Sequence, residues 1–186
     1  MDLAHLEEAR QLVGAVDSPH LVHMVLEIAA YADDEAADQH RVGRVIVEIA
    51  EDRITVSDDG RGTDTRRDAS GEIVRKPVMA TPDIRFYGKD DAPLLPDGEP
   101  RRGMSVVAAC SRQLVHENRR REGAWTQTYE YGIPASELVE LDEWVGTGTS
   151  VHLRRLDTRV VAGMDRAALG VLLGGFDHVG ASVRER

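Results

Sequence analysis

Apolar positions Leu3, Leu6, Leu12 and Val13 recur among charges over residues 2 to 13, a pattern that predicts a short amphipathic helix ending at Gly14. A second helix is signalled more strongly. Ser18 is a good N-cap, and Pro19 stands at the first helical position, where its missing N–H costs nothing. Leu21, Val22, Val25, Leu26, Ile28 and Ala29 then supply an apolar face that carries this helix to about Ala37. Over Arg44 to Ala50 the period changes to two, with Val45, Val47 and Ile49 set against Arg44, Ile46 and Glu48. Arg53 to Ser57 follows after Glu51-Asp52, so the two runs predict a hairpin, which Asp58-Asp59-Gly60-Arg61-Gly62 breaks.

From Thr63 to Arg102 prolines and charges dominate and periodicity is lost, which predicts a long irregular connection of the kind that is usually functional or mobile. Ser105 to Ser111 is small and apolar, as in a buried helix. Three strand-like runs follow: Leu114 to Asn118, Trp125 to Tyr131 and Ser150 to Leu153, with Arg121-Glu122-Gly123 as a hairpin turn between the first two. Asp165 to about Phe176 predicts a last helix, and Ser182 to Arg184 a final strand. With no internal repeat, linker or low-complexity segment, the economical architecture is one α+β domain over 1–186: helices layered on one face of a mixed, mainly antiparallel sheet.

Composition narrows the function classes. A chain of 186 residues can close a core by packing alone, and its one cysteine, Cys110, leaves no pair to oxidise and no metal-type Cys/His spacing. A cytoplasmic protein is expected. The N-terminus lacks a secretory pattern, and no stretch approaches about 18 continuous apolar residues, so no membrane span is expected. A net charge of −10 opposes a phosphate backbone, which argues against autonomous DNA binding. Arg101-Arg102 and Arg119-Arg120-Arg121 are then expected to be solvated faces rather than anion sites.

Four blocks occur in order: Glu27 on the second helix, Asp58-Asp59-Gly60-Arg61-Gly62 after a strand, Gly103-Met104-Ser105-Val106-Val107 opening a helix, and Thr147-Gly148-Thr149 before a strand. With Arg121-Glu122-Gly123, Tyr129-Glu130-Tyr131-Gly132-Ile133-Pro134 and Gly180-Ala181-Ser182-Val183-Arg184, they resemble the gyrase B branch of the GHKL ATPase superfamily, over essentially the whole chain. The resemblance implies the two-layer GHKL α/β sandwich and binding of ATP or ADP.

His23 and Glu27 are four apart on one helix face, and a carboxylate beside an imidazole can orient and deprotonate a water; the alternative is a surface ion pair. By resemblance Glu27 is the ATPase general base. Asp58, at a strand end before a glycine turn, can accept from an amino group, which the resemblance identifies as the exocyclic amine of adenine. Without the resemblance it is an Asx-type turn residue, and Thr149 a strand residue with no ligand. The resemblance further gives Thr149 a supporting role through its hydroxyl and ordered water. It lays Arg61 over the base, paired with Glu35, and adds Gly60, Gly62, Gly103 and Arg121 to the cofactor-binding set.

Two positions depart from the family, and a third departure is one of length. Tyr31 replaces the asparagine that coordinates magnesium, four residues after Glu27, and a phenol is a poor ligand for a hard octahedral cation, so no magnesium site is expected. Asp33 and Asp34 are expected to form a solvated acidic run. The glycine-rich phosphate lid reads Gly98-Glu99-Pro100-Arg101-Arg102-Gly103, in which proline removes an amide donor and the arginines add bulk. The family's following domain and DNA-cleaving region are expected to be lacking.

Three functions remain open. The first is an adenine-nucleotide-binding module with impaired or absent hydrolysis. The second is a small-molecule acid–base enzyme, a cyclase or isomerase of bacterial specialised metabolism, using Glu27, His23, Asp58 or Tyr31 in one cleft. The third is a non-catalytic partner of gyrase or of a gyrase inhibitor. The expected partner is a small molecule in the ancestral pocket, and the protein a monomer or weak homodimer.

Overall fold

The computed structural model describes residues 1–64, 66–67, 69, 71, 73–74 and 79–186. It is an α+β two-layer sandwich. Helices α1 (Leu3–Val13) and α2 (Ser18–Asp38) precede the hairpin β1 (Gly43–Ala50) and β2 (Arg53–Asp58). Two short strands, β3 (Arg66–Arg67) and β4 (Ile73–Val74), form a separate antiparallel pair within the connection anticipated as irregular, part of which lies outside the described residues. Then come α3 (Met104–Cys110), β5 (Gln113–Arg120), β6 (Gly123–Glu130), β7 (Ile133–Pro134), β8 (Val139–Leu141), β9 (Gly148–Arg154), α4 (Thr158–Ala162), α5 (Arg166–Leu173) and β10 (Val179–Glu185).

The main sheet runs in the order β10-β1-β2-β9-β5-β6-β7, with β8 also on β6. Its β1–β10 pair is parallel and the remaining pairs are antiparallel. Period-two alternation puts Val45, Val47 and Ile49 of β1, Ile54 and Val56 of β2, and Val151 and Leu153 of β9 into the core, against Leu21, Val25, Leu26 and Ile28 of α2 and Leu169 and Leu173 of α5. A smaller cluster, Leu6, Ala9, Ala80, Val106 and Ala109, fixes α1 to α3. There the buried His5 Nε2 meets Ser105 Oγ at 2.8 Å.

Several local expectations need correction. The N-cap of α2 is Asp17, whose carboxylate accepts from the His20 N–H at 3.0 Å; Ser18, one residue into the helix, donates to the Val160 carbonyl at 2.7 Å. A carboxylate at the cap satisfies the helix N–H and leaves the hydroxyl for a tertiary contact. Helix α5 ends at Leu173 rather than near Phe176, because successive N–H groups of Gly174 and Gly175 turn back to Gly170, Val171 and Leu172 carbonyls. The short elements α4, β7 and β8 are too brief to leave a period. Asp165 caps α5 by accepting from Ala168 N–H at 2.9 Å. Asp165→Ala is expected to lower stability by about 1 kcal/mol in urea denaturation, since α5 carries Leu169 and Leu173 into the core.

Candidate functional site

Strands β2, β9 and β5 lie side by side, and their helix-facing residues make one wall of a cavity of ≈ 300 Å³. Val56, Val151 and His116 stand in one register row across the three strands, and Thr149 stands opposite Asn118 in the next. Ile28, Tyr31 and Glu35 of α2, with Met79 and Met104, line it from the other side. The volume is at the lower end of ligand cavities.

Asp58 ends β2 and faces this cavity. Its Oδ1 accepts the backbone N–H of Gly60 at 2.8 Å and of Thr149 at 3.1 Å. The Asx turn and the β9 contact therefore coexist at one oxygen. Burial raises the Asp58 pKa, and the two backbone N–H groups with the nearby Arg119 charge oppose that rise. The contact requires Gly148, whose φ is +133° and whose α-carbon passes so close that a Cβ would lie 2.1 Å from the Asp58 carbonyl oxygen. Gly62 is similarly constrained: at φ +78° a Cβ there would come within 2.5 Å of the Arg119 carbonyl.

Arg61 pairs with Glu35 as anticipated, Nε to Oε1 at 2.6 Å and Nη2 to Oε2 at 3.3 Å. Arg121 sits exposed at the β5–β6 turn and does not line the cavity, while its neighbour Arg120 bonds the Gly62 carbonyl at 3.1 Å and Asp64 at 2.8 Å.

Glu27 is fully buried, 0% exposed, so it is not half of a surface ion pair. Its Oε1 accepts from the backbone N–H groups of Arg102 and of Gly103, the latter at 3.2 Å, and His23 Nε2 lies 3.7 Å away. Burial raises the Glu27 pKa, against the pull of those N–H groups, His23 and Arg101. His23 Nδ1 meets Asp97 Oδ2 at 2.8 Å. His23, Asp97, Glu99 and Arg102 line a separate cavity of ≈ 560 Å³ with Met164, between α4 and α5, and Leu169 and Leu172 of α5. The expected single cleft holding Glu27, His23, Asp58 and Tyr31 is thus divided: Asp58 and Tyr31 line one cavity, His23 the other, and Glu27 lines neither.

The Tyr31 hydroxyl donates to Asp83 Oδ2 at 2.8 Å and accepts the Met104 N–H at 3.4 Å. Burial and the Asp83 carboxylate push its pKa well above the usual phenol value. The expectation of a solvated face fails at Arg101. The Arg101 side chain is only 7% exposed; its guanidinium bonds Asp34 at 3.0 and 3.1 Å and lies 4.0 Å from the Phe86 ring centroid and 5.0 Å from that of Tyr31. The Asp34 side chain stays 43% exposed while it pairs with this buried cation, and Asp33 accepts the His178 N–H at 2.7 Å where β10 approaches.

Residues that sequence reasoning missed are His116, Asp83 and Asp97. His116 carried a signal, since it alternates with Leu114 and Asn118 on the inward face of β5. Asp83 and Asp97 sit in the aperiodic connection, where no spacing points to Tyr31 or His23. Among the described residues no group of three or more His, Cys, Asp and Glu side chains could hold a metal ion, and no helix is long and apolar enough to cross a membrane.

No family model matches the chain. It is similar to the B subunit of DNA gyrase from Mycobacterium tuberculosis (strain ATCC 25618 / H37Rv), 32% identical over 124 residues, covering 66% of this chain and 18% of that protein. The B subunit of DNA gyrase from Haloferax volcanii is 31% identical over 147 residues, covering 75% and 23%. The B subunit of DNA topoisomerase 4 from Staphylococcus epidermidis (strain ATCC 35984) is 28% identical over 145 residues, covering 76% and 22%. The chain therefore spans about a fifth of the length of these relatives. Together with the two-layer sandwich, these partial likenesses make the chain a distant relative, of the GHKL type, of the gyrase and topoisomerase 4 B subunits.

Proposed function

We propose that this chain is a GHKL-type module that binds the adenine ring of a nucleotide or nucleoside against Asp58 and does not turn ATP over. The observation that carries the reading is the Asp58 carboxylate, held at the cavity wall by the Gly60 and Thr149 N–H groups, so that it can accept from an exocyclic amine without rearranging. Thr149, Glu35 and the Arg61 paired with Glu35 complete the base-side set.

Absence of turnover is supported by where the remaining groups are spent. A general base needs reach to the water it activates, and the Glu27 carboxylate is instead enclosed with the Arg102 and Gly103 N–H groups. Tyr31 gives its proton to Asp83 in a hydrogen bond and remains a neutral phenol, so the residues at this place do not fit magnesium, which takes carboxylate, amide and water oxygens.

The test is calorimetric titration with ATP and ADP, with and without magnesium, alongside a phosphate-release assay. Saturable binding indifferent to magnesium and no release are expected. Asp58→Asn, whose amide oxygen can still accept from Gly60 and Thr149, is expected to weaken binding by about 10- to 100-fold, as loss of a hydrogen bond to a charged group does. Failure of ATP, ADP and adenosine all to bind at millimolar concentration, or steady phosphate release that Glu27→Ala abolishes, overturns the reading.

A further inference from the structure

His116 is 3% exposed, lines the cavity, and makes no side-chain hydrogen bond to another described residue. Its ring packs against Trp125 in a T-shaped contact, centroids 5.0 Å apart at 86°, which restrains its orientation. A buried polar ring normally has a partner, because leaving one unmade costs the full desolvation of the group. Because His116 lines the cavity, a ligand there can supply that partner. Asp58 and His116 lie on β2 and β5 with β9 between them, so two strand spacings, roughly 10 Å, separate them across the sheet. Ile28, Met79 and Val151 supply apolar surface to the same cavity. This frame suits a flat ring system with polar groups at both ends.

The opposite requirement, a place for phosphates, is not met. The N–H groups of Arg102, Gly103 and Met104, where the lid runs into α3, already have acceptors: Glu27 Oε1 for the first two and the Tyr31 hydroxyl for the third. Arg101 is committed to Asp34, and Arg102 lies 3.8 Å from Glu99. The cavity itself carries the carboxylates of Asp58 and Glu35, which repel an anion.

We propose that the cavity is selective for an uncharged, planar, amine-bearing heterocycle of purine-base or nucleoside size, held between the Asp58 carboxylate and the His116 imidazole, with phosphorylated forms disfavoured because Glu27 occupies the lid amides. This rests on the reading of Asp58 given above and narrows its ligand. A neutral imidazole offers one donor and one acceptor, so it can meet either kind of ring nitrogen. Burial keeps the ring in that neutral form.

Adenosine and ADP, titrated separately into the purified protein in magnesium-free buffer, distinguish the outcomes. Adenosine is expected to bind at least 10-fold more tightly than ADP. His116→Phe keeps the ring against Trp125 but removes both nitrogens, and is expected to weaken adenosine binding by 10-fold or more. The wild-type ratio of affinities needs no variant to fold. Equal or tighter ADP binding, or unchanged adenosine binding by His116→Phe, overturns this inference; if in either case binding is lost in Asp58→Asn, the adenine reading itself stands. Binding of neither compound at millimolar concentration overturns both.

Discussion

Gly148→Ala is expected to cost about 4 kcal/mol of stability, the scale of strained-backbone and overpacking substitutions combined. Two effects add. At φ +133° an L side chain is strained whatever the space around it, and the new Cβ would come 2.1 Å from the carbonyl oxygen and 2.9 Å from the carbonyl carbon of Asp58. Those atoms belong to the backbone of β2, held in the sheet by β1 and β9, and cannot swing aside as a side-chain tip would. Relief requires separating β2 from β9, and with it the Thr149 N–H from the Asp58 carboxylate. A urea melt measures the cost; for a domain of this size the melting temperature should fall by roughly 10 °C. Gly170→Ala on α5, where a Cβ meets nothing within 4 Å, is the matched control. A Gly148→Ala protein as stable as that control would show that the β2–β9 approach is loose.

The second large effect is one of pH. Burial, with His152 nearby, lowers the His116 pKa from 6.5 to about 4. The folded protein holds the neutral ring and the unfolded chain takes up the proton more readily. The stabilisation is therefore complete above about pH 6.5 and is lost as pH falls towards 4, by about 3 kcal/mol in all. Glu27 and Asp58, both raised by burial, act with the opposite sign: their protonated forms suit the fold, and stability drains as pH rises through their folded-state values. The difference between wild type and His116→Phe isolates the imidazole. It should shrink by about 3 kcal/mol from pH 7 to pH 4 in urea denaturation, and a difference that stays flat would show that the ring is not buried neutral.

Periodicity carried most of the fold. The alternation over Arg44 to Ala50, the apolar face of α2 and the small-residue run of α3 each reflect burial that recurs at fixed spacing, and each element stands close to where its pattern placed it. Ser18 and Pro19 fit a helix start by themselves, and the cap lies one residue earlier only because the Ser18 hydroxyl is taken by the Val160 carbonyl while Asp17 accepts the His20 N–H. In the site, Asp58 and the Arg61–Glu35 pair were legible, since a glycine turn and a helix face constrain them locally. The division of Asp58 from His23 was not. It depends on residues 97–103 folding over Glu27, and that path is fixed by contacts to α2 that leave no period in the chain. Arg101 misled for a related reason: a pair of arginines reads as solvated until Phe86, Tyr31 and Asp34 are brought around one of them.

The parallel pairing of β1 with β10 also sets an order of assembly. Gly43 is in register with Val179 and Ile49 with Glu185, so an early strand finds one of its two partners only after nearly all the intervening chain has been placed. Closing so long a loop costs entropy that no local contact repays, whereas the β1–β2 and β5–β6 hairpins close over tight turns. Folding is therefore expected to begin in the hairpins and to bring in β10 late, and until that strand docks, the outer edge of β1 stands open as a template for pairing with another chain.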